Sequence, residues 1–183
     1  MSLRVVNIVS TCQLLKTFNL KELAEKLWNV EYKPKKFTGL IKRIRNPYTT
    51  HLIFPNGKCV VTGAKTVSDT KRALRKLCRE LNTSFTDLKV QNIVASVDLT
   101  PILQKKSGTI IDLVRLHEVV ESTYEPERYA ALIIKCFDIK AIVFHNGKIN
   151  FTGAKTFHIL NSVYIDVLTL LEQNELIVFD FFK

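Results

Sequence analysis

Phe54-Pro55-Asn56-Gly57-Lys58-Cys59-Val60-Val61-Thr62-Gly63-Ala64-Lys65-Thr66 returns further along the chain as Phe144-His145-Asn146-Gly147-Lys148-Ile149-Asn150-Phe151-Thr152-Gly153-Ala154-Lys155-Thr156. Outward from this pair the match continues in order. Tyr32-Lys33-Pro34-Lys35-Lys36-Phe37 is answered by Tyr124-Glu125-Pro126-Glu127-Arg128-Tyr129, and Asn7-Ile8-Val9 by Asn92-Ile93-Val94. The offsets are 85 residues at Asn7, 92 at Tyr32 and 90 at Phe54, so the copies differ by small insertions in loops. An ordered duplication of this length marks a repeated structural unit. It predicts two repeats, residues 1–88 and 89–183.

Each copy reads as a strand, a helix, several strands and a closing helix. Pro55-Asn56-Gly57 and His145-Asn146-Gly147 suit three-residue hairpin loops in which the glycine takes the left-handed position, pairing Phe54 with Lys58 and Phe144 with Lys148. Asn19 and Glu22 have the spacing of a helix cap and its reciprocal acid, ahead of Leu20, Leu23, Ala24, Leu27 and Trp28 at helical period. Thr109 and Asp112 are placed to open the second copy's helix, with Ile110, Leu113, Val114 and His117 on its inner side. Ser68 is placed to cap the first closing helix. There Ala73, Leu74, Leu77, Cys78 and Leu81 form the buried side, and Lys71, Arg72, Arg75, Lys76 and Arg79 the outer one. The second closing helix has Leu160, Val163, Tyr164, Val167, Leu168 and Leu171 inside and no Lys or Arg across 157–175.

With 46% hydrophobic and 24% charged residues in 183, the chain has enough apolar material for a core, which excludes a disordered chain. No apolar run approaches bilayer-spanning length and the start lacks a signal-peptide pattern, so the protein is expected inside a cell, away from membranes. Cys12, Cys59, Cys78 and Cys136 stand singly and off metal-finger spacing, as do His51, His117, His145 and His158. The cysteines read as reduced, mostly buried thiols, and no metal or cofactor is expected. The net charge of +10 divides unevenly at residue 90: 18 basic against 6 acidic side chains before it, 9 against 11 after it. A basic half attracts nucleic acid or acidic protein, and also simply solubilises.

Strand alternation sorts the rest into two faces. One parity supplies Ile8, Leu40, Ile53, Cys59 and Val61 to a core against the helices. The other gives Asn7, Val9 and Thr11, then Phe37, Gly39, Ile41 and Arg43, Leu52 and Phe54, and Lys58, Val60 and Thr62. Its second-copy counterpart is Asn92, Val94 and Ser96, then Tyr129, Ala131, Ile133 and Lys135, Ile142 and Phe144, and Lys148, Asn150 and Thr152. This face is apolar and uncharged at its middle, aromatic near its ends and basic at its rim. It matches the minor groove, where A·T pairs offer mainly acceptors. Asn7 and Asn92 are candidate donors. Phe37, Phe54, Tyr129 and Phe144 are candidate wedges, and Arg43, Lys58, Lys135 and Lys148 candidate phosphate neutralisers. Packing in a core or a dimer interface is the competing reading of the same aromatics.

Asn7-Ile8-Val9-Ser10-Thr11, Phe37, Arg43-Ile44-Arg45, Phe54, Gly57-Lys58 and Thr62-Gly63-Ala64-Lys65, with their second-copy partners, resemble the TATA-box-binding protein family over nearly the whole chain. The resemblance implies an α+β fold: two pseudo-symmetric repeats forming a saddle, with a curved antiparallel ten-stranded sheet concave toward DNA and helices on the convex face. It implies a general transcription initiation factor, not an enzyme, that kinks A·T-rich promoter DNA and helps place RNA polymerase. By position Asn7, Val9, Phe37, Leu52, Phe54, Val60 and Thr62, then Asn92, Val94, Tyr129, Ile142, Phe144 and Thr152, take the DNA-contacting places. Glu31, Glu125, Glu127 and Arg128 are grouped as partner-binding places, with Glu125 and Glu127 toward a transcription factor IIB-like protein. Lys71, Arg72, Arg75, Lys76 and Arg79 match the surface used by a IIA-like factor. A nuclear location follows by the same analogy, and a homodimer when free is the remaining partner to weigh.

Three departures from the family pattern stand out. Tyr129 replaces a wedge Phe, Asn150 replaces a Val on the DNA face, and Arg128 replaces a Leu beside the IIB-contacting acids. They point to the alternative of a divergent related factor, with weak or altered DNA preference, acting mainly as a protein-binding scaffold. The apolar tail Leu176-Ile177-Val178-Phe179-Asp180-Phe181-Phe182 is expected to dock on the core or meet a partner.

Overall fold

The computed structural model describes residues 2–103, 111–174 and 176. The chain packs into two compact units, Val5–Asn92 and, with Met1–Arg4, Ile93–Lys183. The N-terminal unit contains β1 (Arg4–Leu14), α1 (Leu20–Lys26), β2 (Val30–Glu31), β3 (Leu40–Arg45), β4 (Tyr48–Ile53), β5 (Lys58–Ala64) and α2 (Val67–Leu81); β6 (Phe85–Asp98) leads from it into the next unit. The C-terminal unit continues with α3 (Thr100–Leu103), α4 (Leu113–Val119), β7 (Ser122–Thr123), β8 (Ala131–Cys136), β9 (Ile139–Phe144), β10 (Lys148–Ala154) and α5 (Phe157–Gln173). The strands are ordered β2-β3-β4-β5-β1 in one and β6-β10-β9-β8-β7 in the other. Strand pairs within each unit are antiparallel, so the class is α+β, as expected.

Alternation decides which side of each strand is core. Along β1 every even residue from Ile8 to Leu14 is buried and every odd one is half-exposed. Ile8, Leu40, Ile53 and Val61 are fully buried and Cys59 is 1% exposed. In the N-terminal unit these strands meet Leu74, Leu77, Cys78 and Leu81 of α2 in one cluster. Each large aliphatic side chain removed from water there contributes about 1.5–3 kcal/mol. Cys12 and Cys59 are cross-strand neighbours in that core, and all four cysteines are free.

The motif Thr-Gly-Ala-Lys marks a backbone irregularity in both units. Register slips between Ile8 and Ser10 against β5, and between Phe151 and Ala154 against β6. Gly63 and Gly153 sit at these bulges with φ of 98° and 108°. A β-carbon on Gly153 would fall 2.1 Å from the Asp138 carbonyl oxygen, so only glycine fits. The hairpins form as expected, Gly57 N–H and Gly147 N–H each bonding the carbonyl of the preceding Phe at 3.0 Å.

The insertion that lengthens the second copy is also located. Leu14 and Phe18 bond the carbonyls of Gly57 and Pro55, and Leu99 and Ile111 bond those of Gly147 and His145. Three residues lie between the first pair and eleven between the second, so the extra length lies in 100–110.

Several local expectations change. The cap of α2 is Thr66, whose hydroxyl accepts the Asp69 N–H at 2.9 Å; Ser68 lies inside the first turn. Helix α4 is capped by Asp112 itself, bonding the N–H groups of Val114 and Arg115; Thr109 and Ile110 lie outside the described residues. Leu113 and Leu116 are its inner side, while Val114 is 60% exposed and His117 faces out to meet Ser122. Asn19 caps α1 as expected, but its reciprocal bond to Glu22 comes from its own carboxamide, at 2.7 Å. That helix stops at Lys26 and leaves Trp28, expected inside, 67% exposed.

Trp28 instead covers a buried cation. Lys42 is 1% exposed, pairs with Glu80 at 2.7 Å, donates to the Trp28 carbonyl at 2.9 Å and sits 4.9 Å from the Trp28 ring centre. Three partners are what a buried ammonium requires. Beside it His51 is fully buried and bonded to Thr49; burial, then the Lys42 charge, pulls its pKa down to about 4. Of the apolar C-terminal stretch only Leu176 is described: it is 5% exposed and bonds the Leu171 carbonyl, and 177–183 lie outside the described residues.

Candidate nucleic-acid interface

The half-exposed sheet face carries the candidate residues in rows set by strand register. In the N-terminal unit Thr11, Val60, Leu52 and Ile41 lie side by side across β1, β5, β4 and β3. A second row runs Thr62, Thr50, Arg43. In the C-terminal unit the matching rows are Ser96, Asn150, Ile142, Ile133 and Thr152, Lys140, Lys135. The parity-assigned residues on these strands lie on this one side, where Ala131 is buried, at 1% exposure, rather than half-exposed. Lys140 and Asp98 belong to it as well and escaped the sequence reading; stepping the parity of Ile142 and Ser96 by two residues finds both.

Asn7 is the best-fixed polar group here. Its carboxamide oxygen takes the Gly63 N–H at 2.7 Å, and its NH₂ donates to the Thr62 hydroxyl oxygen at 3.1 Å. The bulge at Gly63 therefore commits the oxygen, and the NH₂ keeps one further N–H beyond its bond to Thr62. Thr152 and Gly153 hold the matching places on β10, and Asn92 on β6. Thr11 accepts a 2.7 Å bond from Gln91.

The aromatics stand in two pairs at the ends of the rows. Phe37 and Phe54 meet edge to face at 5.8 Å, and Tyr129 and Phe144 at 6.2 Å. Phe37 roofs Gly39, where an added β-carbon would lie 2.8 Å from the ring. The rings are thus excluded from the core, and Tyr129 is 46% exposed. They present apolar edges beside the apolar rows.

Charge stays at the rim. Arg43 reaches Glu31 at 3.5 Å, and Lys33, nearer at 2.8 Å, is the main cause of that carboxylate's lowered pKa. Lys58 lies opposite neutral Gln13, whereas Lys148 lies opposite Asp98, so the two hairpins differ in field. The Asp98 pKa is lowered first by its bonds to Thr100 and least by Lys148.

Of the partner-binding candidates, Glu31 lies at this rim beside Arg43, and the others lie elsewhere. Lys71, Arg72, Arg75 and Arg79 are exposed on α2; Arg72 pairs with Asp69 at 2.8 Å and Lys76 donates to the Asn46 carbonyl. Arg128 pairs with Glu125 at 3.1 Å, and Glu127 is exposed. Among the described residues no cluster of three or more metal-ligating side chains occurs.

Residues 2–84 and 87–174 each match the family model for transcription factor TFIID, or TATA-binding protein. The chain is 39% identical over 176 residues to the TATA-box-binding protein-like 1 of Entamoeba histolytica, covering 92% of this chain and 79% of that one. It is 44% identical over 157 residues to the TATA-box-binding protein of Emericella nidulans, covering 81% and 56%. The solved Methanococcus jannaschii TATA-binding protein superposes with a TM-score of 0.79 at 28% identity, over 94% of this chain and 99% of that one. With the family model matched twice and the fold shared end to end, the chain belongs to the TATA-binding protein family of transcription factors.

Proposed function

We propose that this chain is a general transcription initiation factor that binds the minor groove of A·T-rich promoter DNA, kinks it with aromatic wedges and nucleates a preinitiation complex in the nucleus. The observation that carries the reading is the Asn7 carboxamide on the half-exposed face, its oxygen committed to Gly63 and its NH₂ keeping one N–H beyond the bond to Thr62, a neutral donor beside the apolar row Val60, Leu52 and Ile41. Neutral donors amid methyl groups suit a groove floor of acceptors; a row of cations there would suit phosphates instead. In this reading Phe37, Phe54, Tyr129 and Phe144 unstack base steps, while Arg43, Lys58, Lys135 and Lys148 lie along phosphates. The DNA-contacting set is completed by Val9, Thr11, Leu52, Val60, Thr62, Asn92, Val94, Ser96, Ile142, Asn150 and Thr152. Repeats 1–88 and 89–183 then each serve one half of the element, which the twofold match of the family model supports. A IIA-like factor meets α2, and a IIB-like factor meets Glu125 and Glu127.

The test is affinity and fluorescence-resonance bending on an A·T-rich duplex beside a G·C-rich one at one salt concentration. Selective binding with a sharp bend is expected; weak, unselective, unbent binding overturns the reading. One observation favours the alternative of a divergent related factor: Arg128 pairs with Glu125, so the place of the IIB-like contact departs from the family pattern. Under that reading DNA preference is weak or altered, and no duplex of the series is sharply bent.

A further inference from the structure

We propose that Asn150 makes the C-terminal unit a reader of one guanine in the minor groove, so that the preferred element is not A·T throughout. The inference rests on the minor-groove reading above and adds a specificity to it.

The two units present the same row with one chemical difference at its centre. Val60 lies between Thr11 and Leu52; Asn150 lies between Ser96 and Ile142. Both central residues are half-exposed on the same side of their strands. Thr11 is engaged by Gln91, whereas neither the Asn150 carboxamide nor the Ser96 hydroxyl is bonded to a protein group among the described residues. Ser96 is also a methyl group shorter than Thr11. The C-terminal row therefore offers an uncommitted carboxamide with room beside it.

In the minor groove a G·C pair differs from an A·T pair by one group, the guanine 2-amino donor. A valine against that amino group buries it without a partner, so Val60 rejects guanine. A carboxamide does the reverse: its oxygen accepts from the 2-amino group while its NH₂ donates to the neighbouring guanine N3. The residue is neutral, so no charge is buried in the contact. Ile142 and Ile133 keep the remainder of the row apolar.

The experiment uses the full chain, an all-A·T duplex, a series with one G·C pair moved through it, and the same series with inosine for guanine. Inosine lacks the 2-amino group and otherwise keeps the guanine minor-groove edge. At one position the wild type is expected to bind G·C roughly tenfold tighter than inosine·C, as a bidentate base contact allows. Asn150→Val should abolish that difference, leaving G·C and inosine·C bound equally at that position, and Val60→Asn should create a second such position. Thermal unfolding of both variants confirms folding; valine is well suited to a strand. Equal binding of G·C and inosine·C by the wild type at every position, or a preference that survives in Asn150→Val, overturns the inference and leaves the promoter-binding reading standing. Failure of the wild type to bind any duplex overturns both.

Discussion

Gly63 N–H donates to the Asn7 carboxamide oxygen at 2.7 Å, a bond that commits the oxygen and leaves the NH₂, which also reaches the Thr62 hydroxyl oxygen at 3.1 Å, as the donor end. Asn7→Asp tests what the donor contributes. The carboxylate still accepts from Gly63, so the melting temperature should stay near wild type, while loss of the donor and a new negative charge lower affinity for an A·T duplex by at least about tenfold. Parallel duplex titration and thermal unfolding measure both effects. An unchanged affinity would remove Asn7 from the interface.

Phe54 and Phe144 are half-exposed at the ends of the apolar rows, whereas Phe151 is fully buried against Tyr164 at 6.0 Å. Phe151→Ala should cost about 3–5 kcal/mol of stability, and Phe54→Ala or Phe144→Ala clearly less. Bending should follow the opposite order, with the two interface variants straightening the duplex while remaining folded. Denaturant unfolding and resonance-energy transfer on end-labelled DNA separate the two quantities.

His51 predicts a pH dependence of folding. Its pKa falls from the ordinary 6.5 to about 4 in the native protein, through burial first and Lys42 second. The native state therefore resists protonation that the unfolded chain accepts. Stability is full above about pH 6.5 and declines as pH falls toward 4, by about 3 kcal/mol from this residue at most. His51→Gln should flatten the part of the acid limb due to this group. Urea unfolding from pH 7.5 to 4.5, variant against wild type, isolates it from the carboxylates.

Arg128 and Glu125 form a local ion pair on a surface assigned to a IIB-like partner. Arg128→Leu releases the carboxylate and should strengthen that partner's binding several-fold, roughly the worth of an exposed pair. Reversing Arg75 and Arg79 on the outer face of α2 should instead weaken a IIA-like partner. Both variants should bind A·T DNA as the wild type does, and joint loss of DNA and protein binding would place the partners on the sheet face.

Much of the candidate interface was legible because alternation needs only one fixed residue to orient a whole strand. Leu52, Val60, Ile142 and Asn150 fall where parity put them. Lys140 and Asp98 were passed over because a charged residue beside an apolar run reads as a strand end, and only cross-strand register shows them in the row. The cap of α2 was misplaced by two residues because Thr66 and Ser68 have the same capping chemistry; the φ of −135° at Thr66 distinguishes them.

By itself the sequence determined the duplication, the strand alternation and the hairpins, because each is a periodic or short-range pattern governed by backbone geometry and side-chain polarity. Tertiary structure alone decided that Lys42 is buried under exposed Trp28 with Glu80 from α2, that the Asn7 carboxamide oxygen is taken by Gly63, and that Arg128 engages Glu125. The first two bring together residues tens of positions apart, and the last is an exposed pair three positions apart whose side chains have solvent as the alternative partner. Where a charge ends and which end of an amide is taken are fixed by partners in space, and spacing along a chain does not encode them.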